Sequence, residues 1–381
     1  MANTLTNLIP VLYEAVDVVS RELVGFIPAV TLDADAARAA VNQTVYSAKT
    51  SVGSPTDITP AVTPPDDGDQ TIGNSSITIS KARRIPIRWN GEQTLGVNSG
   101  PGKPNLLRDQ FAQAMRVLTN EIEADLAALY VKASRATGSA GTAPFASTLS
   151  DSAQLRKILS DNGAPLTDLQ LVINTTAGAN LRTLAQLTKA NEAGNDQLRA
   201  RGILLDLHGF SMRESAQVKT HTKGTGSGYL VNNASNYASG STTIAVDTGT
   251  GTVLAGDILT NSESGRDANK YVVGSALSAG SLALADPGLQ AAWLNNDALA
   301  VGNSYVANLA FARSAIQLAT RAPALPDGGD SADDRMMITD PVSGITFEIA
   351  TYRQYRQVQY EVAIAWGVAV NKPEHCAILL G

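Results

Sequence analysis

Catalysis needs a nucleophile, a base or a metal ligand at workable spacing, and this sequence offers few. Its three histidines, His208, His221 and His375, stand in no HExxH or similar ligand spacing, and each reads as a turn or surface residue. No GxSxG elbow occurs. Gly224-Thr225-Gly226-Ser227-Gly228 has the glycine density of a phosphate loop but lacks the GKS or GKT ending. It leads into a strand-like run, so no helix N-terminus waits for an anion, and it reads as a flexible hinge. Asp327, Asp330, Asp333 and Asp334 offer the oxygen ligands a hard cation takes. Their spacing departs from the EF-hand, and a solvated acidic loop is the preferred reading. Arg83, Arg84, Arg88 and Trp89 combine charge with a stacking surface, as single-stranded nucleic-acid sites do. Guanidinium groups serve equally to pair with carboxylates of a neighbouring subunit, and that reading is preferred. No catalytic, cofactor-binding or metal residue is assigned, and the chain reads as a non-enzyme.

The whole composition agrees. A chain of 381 residues, 44% hydrophobic and 17% charged, can bury a sizeable core and is not of disordered type. A net charge of −6 argues against a protein built to grip phosphate backbones. One cysteine, Cys376, rules out an intrachain disulfide and a cysteine zinc cluster. No apolar run is long enough to span a membrane, and the N-terminus lacks the pattern of a signal peptide.

The elements that would position these residues follow from periodicity. Residues 6–26 predict an amphipathic helix capped by Thr6 or Asn7, with Pro10 in its first turn. Leu8, Leu12, Val16, Val19 and Leu23 share one face; Glu14, Asp17 and Arg21 share the other. That polar side is either a solvated surface or the face an arm turns toward a basic partner helix. Residues 51–70 are rich in Ser, Thr, Pro and Asp, and alternation follows at Ser76–Ser80 and Arg84–Trp89. These predict a long two-stranded ribbon projecting from the body, with Pro86 demoting its strand to an edge. Leu107, Phe111, Met115, Leu118, Ile122, Leu126 and Leu129 predict a girder helix over 105–135, capped by Asn105 and stopped by Gly138.

From Ser150 the pattern is α/β: a helix to Leu159, a strand at Leu169–Asn174, a helix at Ala177–Leu187, and strands at Ile203–Leu207 and Ser211–Arg213. Residues 219–305 turn to Gly, Ser, Thr and Asn between short strand-like runs, which predicts a small all-β module, barrel-like, inserted into the body. Helical signal resumes over Tyr305–Arg321. Alternating strands close the chain over Ile345–Ile349 and Val358–Val370.

An amphipathic arm, a ribbon, a girder helix, an α/β domain with a β insertion, and closing strands occur in that order. The order resembles the tailed-bacteriophage major capsid (coat) proteins of the Hong Kong 97 fold. Met1-Ala2-Asn3-Thr4-Leu5 through Leu12-Tyr13-Glu14-Ala15, then Val18-Val19-Ser20-Arg21-Glu22-Leu23-Val24-Gly25, resemble the Salmonella-podophage coat protein family. So do Asp206-Leu207-His208-Gly209-Phe210 and Trp366-Gly367-Val368-Ala369-Val370. The resemblance covers essentially the whole chain, through packing motifs that carry no chemistry.

It implies an α+β chain with an N-terminal arm at 1–47, an E-loop ribbon at 48–97 and a P-domain with the spine helix at 98–149. An A-domain would occupy 150–218 and 305–344, interrupted by a β-rich insertion domain at 219–304, with closing strands of both domains at 345–381. It further implies hexamers and pentamers of an icosahedral shell around double-stranded DNA, assembled in the host bacterial cytoplasm. The implied partners are a scaffolding protein, a portal at one vertex and a decoration protein. No cofactor is implied. Glu14, Asp17 and Arg21 are the candidate scaffold or subunit contacts; Arg83, Arg84, Arg88 and Trp89 are the candidate E-loop contacts. No Lys and Asn constellation for covalent cross-linking is visible, so subunits are expected to separate in boiling SDS. An encapsulin-like bacterial compartment shell is the alternative.

Overall fold

Apolar residues at helical spacing draw the first third of the chain together. The computed structural model describes residues 9–20, 25–49, 55–63, 68–69, 72–98, 103–188, 206–340 and 343–381. Its first helices are α1 (Ile9–Ser20), α2 (Gly91–Asn98) and α3 (Lys103–Ala127). Helix α1 buries Leu12, Ala15 and Val16 in the same core as Leu107, Phe111, Met115, Leu118 and Ile122 of α3. The caps expected at Thr6 or Asn7 lie outside the described residues.

The girder is shorter than its apolar pattern predicts. With 25 residues it runs ~37 Å at 1.5 Å per residue. Its last turn tightens into a 3-10 helix, Ala128–Lys132, and Ala133 is already extended. The next residues form strand β5 (Arg135–Gly138), where Arg135 and Ala136 are buried by neighbours on both edges. Sheet pairing overrides helix propensity there. Asn105 therefore lies inside the helix, and Gly138 ends a strand at φ +90°.

A buried carboxylate ties the N-terminal segment to this girder. Glu123, 1% exposed, accepts backbone N–H groups from Gly25 and Phe26 at 2.7 Å and from Ile27 at 3.0 Å. Three consecutive donors at the start of the 3-10 turn Ile27–Ala29 satisfy it without a cation.

Strands β1 (Thr31–Ala39), β2 (Thr44–Lys49), β3 (Gly73–Thr78) and β4 (Lys81–Asn90) come before the girder. After β5 come α4 (Ser150–Asp161), β6 (Leu169–Ile173), α5 (Thr175–Thr183), α6 (Ala185–Thr188), β7 (Phe210–Glu214) and β8 (Thr220–His221). Asn174 caps α5, accepting from the Ala177 amide at 3.0 Å. The expected strand at Ile203–Leu207 falls largely outside the described residues; Leu207 only bridges to Phe210.

The next six strands are β9 (Tyr229–Val231), β10 (Thr243–Asp247), β11 (Ile258–Asn261), β12 (Lys270–Ser278), β13 (Ser281–Leu284) and β14 (Ala298–Val301). Their antiparallel pairings run β9–β10–β13–β12–β11–β14 and return to β9, so they form a closed barrel with no open edge. Val231, Ile244, Tyr271, Leu282 and Trp293 fill it.

The chain then gives β15 (Tyr305–Ala312), β16 (Ile316–Pro323), β17 (Asp334–Thr339), β18 (Thr346–Gln354), β19 (Gln357–Val370) and β20 (Cys376–Leu380). The helix expected over Tyr305–Arg321 is therefore two strands. The stretch is apolar nearly throughout, and such a run does not tell a buried strand from a buried helix. Strand β15 has β20 on one edge and β6 and β8 on the other, so a continuously apolar run is what it needs.

The body sheet runs β5–β20–β15–β6–β7 and continues into the barrel through β12, which pairs with β5 at Lys270↔Ala136 and Tyr271↔Arg135. A second sheet centres on β19. Residues Gln357–Ala363 pair with both β4 and β18, while Ala365 and Trp366 pair with both β4 and β16. A strand has two edges, so β4 takes one and β18 and β16 share the other.

The ribbon also differs from expectation. Strand β3 pairs with β2, Thr44↔Thr78 through Lys49↔Gly73, and not with the Arg84–Trp89 stretch. That stretch belongs to β4 and lies along β19 for ten residue pairs. The physical reason is Trp366 and its apolar neighbours on β19, which offer β4 a core face that a free ribbon lacks. Pro86 does sit on an edge strand, as its missing N–H requires.

Candidate assembly interface

The arginines predicted to meet a neighbouring subunit meet carboxylates of their own chain first. On β4, Arg84 Nη1 lies 2.8 Å from Glu361 of β19, and Arg83 Nε lies 3.4 Å from Glu121 of α3. Lys81 adds contacts at 3.1 Å to Glu121 and 2.8 Å to Asp125, and these hydrogen bonds and charges raise its pKa against a desolvation that lowers it. Trp89 donates its indole N–H to Gln110 Oε1 at 2.9 Å. The group thus clamps β4 onto the girder. Arg88 is exposed and has no ion pair among the described residues.

Between β4 and α3 runs a groove of about 480 Å³ lined by Ile85, Pro86, Arg88, Ala114 and Val117. A second cleft, about 780 Å³, lies between α2 and the β18–β19 turn and is lined by Trp89, Leu95, Arg353, Tyr355 and Val358. Gln354 pairs with Gln357, leaving Tyr355 and Arg356 as the whole turn. Arg356 takes φ +55°, and its guanidinium lies 5.7 Å from the centre of the Tyr355 ring. Tyr355 is 87% exposed. An outward Tyr–Arg pair is the residue chemistry that dominates protein interfaces. The turn escaped sequence analysis because it contains no glycine or asparagine to mark it.

The β2–β3 ribbon reaches outward with little core of its own. Ile77 is buried at its base with Ile79, Ala319 and Ala365, whereas Tyr46 and Ile72 are exposed. Between the two strands, residues 55–63 leave Ile58 and Val62 almost completely bare.

Of the arm residues, Glu14 is exposed and lies 3.7 Å from Arg108 of α3. Asp17 lies on α1 with its side chain outside the described residues, as is Arg21. The helix is not free-standing, because its apolar face packs on the girder.

The acidic loop is engaged as well. Asp330 pairs with Arg335, which also reaches Glu348 at 2.7 Å, and it accepts the Tyr352 hydroxyl at 2.9 Å. The Arg335 hydrogen bond draws the Asp330 pKa down to about 2, while burial and this carboxylate push Tyr352 up to about 12. Asp333 pairs with Arg353 at 3.0 Å. Arginines therefore take oxygens of two of the four aspartates that a cation would draw on. Among the described residues no group of three or more His, Cys, Asp and Glu is arranged to hold a metal, and no helix is long and apolar enough to cross a membrane.

One histidine departs from the expected turn or surface placement, and a second keeps the turn but is buried in it. His221 is buried with both ring nitrogens hydrogen-bonded, and His375 is buried in a 3-10 turn where desolvation lowers its pKa. His208 is exposed in a turn at φ +51°, as expected. The Gly224–Gly228 run is no loose hinge. A Cβ on Gly224 would lie 2.2 Å from the Thr252 carbonyl, and Gly226 donates to that carbonyl at 2.7 Å. Its glycines serve close approach of two backbones.

No protein-family model matches the sequence, and no curated protein matches it. Solved structures do. A chain from the capsid structure of the cyanophage P-SCSP1u is similar over 94% of this chain and 88% of that one, at a TM-score of 0.50 and 12% identity. The fold is that of a phage capsid chain. A chain of the bacteriophage PhiM1 mature capsid matches at a TM-score of 0.45 and 11% identity, over 93% of this chain and 86% of that one. A virus-like particle from Pyrococcus furiosus matches at 0.45 and 8% identity, over 97% and 98%. The likeness of fold rests on the cyanophage chain. This capsid fold is the α+β architecture that the order of sequence elements predicted.

Proposed function

We propose that the protein is a structural shell subunit, the major capsid protein of a tailed phage, and not an enzyme. The observation that carries this reading is the capsid fold shared over 94% of the chain. The surfaces support it: Ile58 and Val62, exposed between the two ribbon strands, and an exposed Tyr355–Arg356 turn. A second copy covers each. Closed point-group packing of one chain into hexamers and pentamers then gives an icosahedral shell.

In this reading the shell encloses double-stranded DNA without sequence-specific contacts, consistent with a net charge of −6. A scaffolding protein guides assembly in the host cytoplasm, a portal occupies one vertex, and a decoration protein is a further partner. The exposed Glu14 of α1 is where a basic scaffold helix would bind, with Asp17 and Arg21 as the further candidates from the sequence. Arg88 remains the β4 arginine available to a neighbour.

The test is to express the full chain, sediment it and image the pellet in negative stain. Uniform closed particles are expected, with nuclease-protected DNA when they form during infection. A chain that stays monomeric, with and without its scaffold, would overturn the proposal. Particles holding protein in place of DNA would point to a bacterial compartment shell of encapsulin type. Glu14→Lys with Asp17→Lys should lower scaffold incorporation; unchanged incorporation would remove the scaffold assignment alone.

A further inference from the structure

The barrel joins the body along two hydrogen-bonded seams. One is the stem, where the ingoing strand β8 pairs with the start of β15 and sets His221 directly opposite Tyr305. The other is the β12–β5 contact, two residue pairs long. A seam that short is marginal by itself.

At the stem, one imidazole touches both sides. The Nδ1 of His221 lies 2.8 Å from the hydroxyl of Tyr130, in the 3-10 turn that ends the girder, and Nε2 lies 2.8 Å from Asp257 Oδ1, in the barrel loop before β11. Asp257 accepts backbone N–H groups from Gly224 at 3.1 and 3.2 Å and from Leu254 at 2.7 Å, so its oxygens are positioned as acceptors toward the ring. A ring with its proton on Nε2 donates to Asp257 and offers Nδ1 as acceptor to the Tyr130 hydroxyl.

The surroundings are shaped to hold this ring. Tyr305 stacks obliquely on His221 at 5.1 Å and donates its hydroxyl to the Gly256 carbonyl at 2.6 Å. Tyr130 meets Tyr305 edge-on at 6.3 Å. Gly256 sits at φ +93°, and a Cβ there would press on both His221 and Tyr130 at 3.0 Å. The spine end, the stem and the barrel loop therefore meet at one side chain. The barrel's ring of strands is closed and its interior is filled by its own residues, while Ile258 and Val272 turn into the body core.

We propose that His221 is a latch, bonded to Tyr130 and Asp257, that fixes the angle of the barrel on the body. Opening it leaves an intact barrel held by its two-strand stem and the short β12–β5 seam, free to shift in angle about them. The inference concerns the folded chain and stands whether or not the chain builds a shell.

The test uses the full-length chain with Tyr130→Phe, which removes one oxygen and keeps the ring, and with His221→Ala. Hydrogen exchange and trypsin cleavage after the exposed Lys223 read the stem; exchange in β9, β10 and β13 reads the barrel. Stem exchange and cleavage are expected to rise on the order of tenfold in Tyr130→Phe and further in His221→Ala, with barrel protection unchanged. Wild-type stem rates in Tyr130→Phe would overturn the latch. So would loss of barrel protection in step with the stem, which would make these residues part of the barrel's own fold. Should His221→Ala fail to fold, Tyr130→Phe decides.

Discussion

At the scale of single residues, one buried carboxylate is held by backbone donors. Glu123 is held by three successive amides of the N-terminal segment and pairs with no cation among the described residues. Glu123→Ala leaves those donors without an acceptor in a dry site, and a loss of about 3 kcal/mol in urea unfolding is expected. Glu123→Gln, which keeps one acceptor oxygen, should lose less. Asp330 behaves differently, because its partner Arg335 depresses its pKa to about 2 from an ordinary carboxylate value. A depressed carboxylate contributes stability that is full above the unfolded value and is lost as pH falls through the folded one. The 330–335 clasp should therefore persist at pH 5 and open between roughly pH 4 and pH 2, which an acid titration following the Tyr352 ring would show. Sequence alone placed Glu14, Arg83, Arg84, Arg88 and Trp89 among contact candidates but not their partners. Glu121, Asp125 and Glu361 are distant in the chain and come together only when β4 lies on β19 and α3. Glu123 left no readable trace, because on a helix of 3.6 residues per turn it falls beside the stripe of Met115, Leu118, Ile122 and Leu126, and Asp125 lies nearer the middle of that stripe.

At the scale of elements, local signals succeeded where one element settles its own ends. Helices α4 and α5 and most barrel strands lie within a few residues of their periodic patterns. Asn174 caps α5 through its side chain, so Asn174→Ala should lower the unfolding free energy by about 1 kcal/mol in chemical denaturation. The failures share a cause. The β2–β3 pairing, the turn of the chain at Ala133 and the strands β15 and β16 are decided by partners far away in sequence, which periodicity does not see. Tyr305–Ala312 is apolar because both its edges and both its faces are covered, and that pattern has no helical or alternating period to read.

At the scale of the whole molecule, the same chain makes a self-sufficient barrel and a ribbon that is not self-sufficient. Ile58→Asp with Val62→Asp changes two side chains already in water, so the folded monomer should unfold at its wild-type denaturant concentration. If a second copy covers them, those substitutions should abolish particle formation in sedimentation. An unchanged particle yield would show that these side chains remain solvated in the assembly.

Strand β20 has one more consequence. It lies between β5 and β15, parallel to the first and antiparallel to the second, yet it follows in the chain every strand it joins. Ser134 and Cys376, bonded in the native fold, are 242 positions apart. At a synthesis rate of about 5–20 residues per second, β5 is out of the ribosome for roughly 10–50 seconds before β20 arrives. During that interval the barrel can complete itself while the body sheet stays split, with the β20-side edge of β5 bare throughout and that of β15 bare once it has been made. Damage to β20 should then appear first as lost soluble yield from nascent chains that aggregate, before it appears as reduced stability of the molecules that do fold.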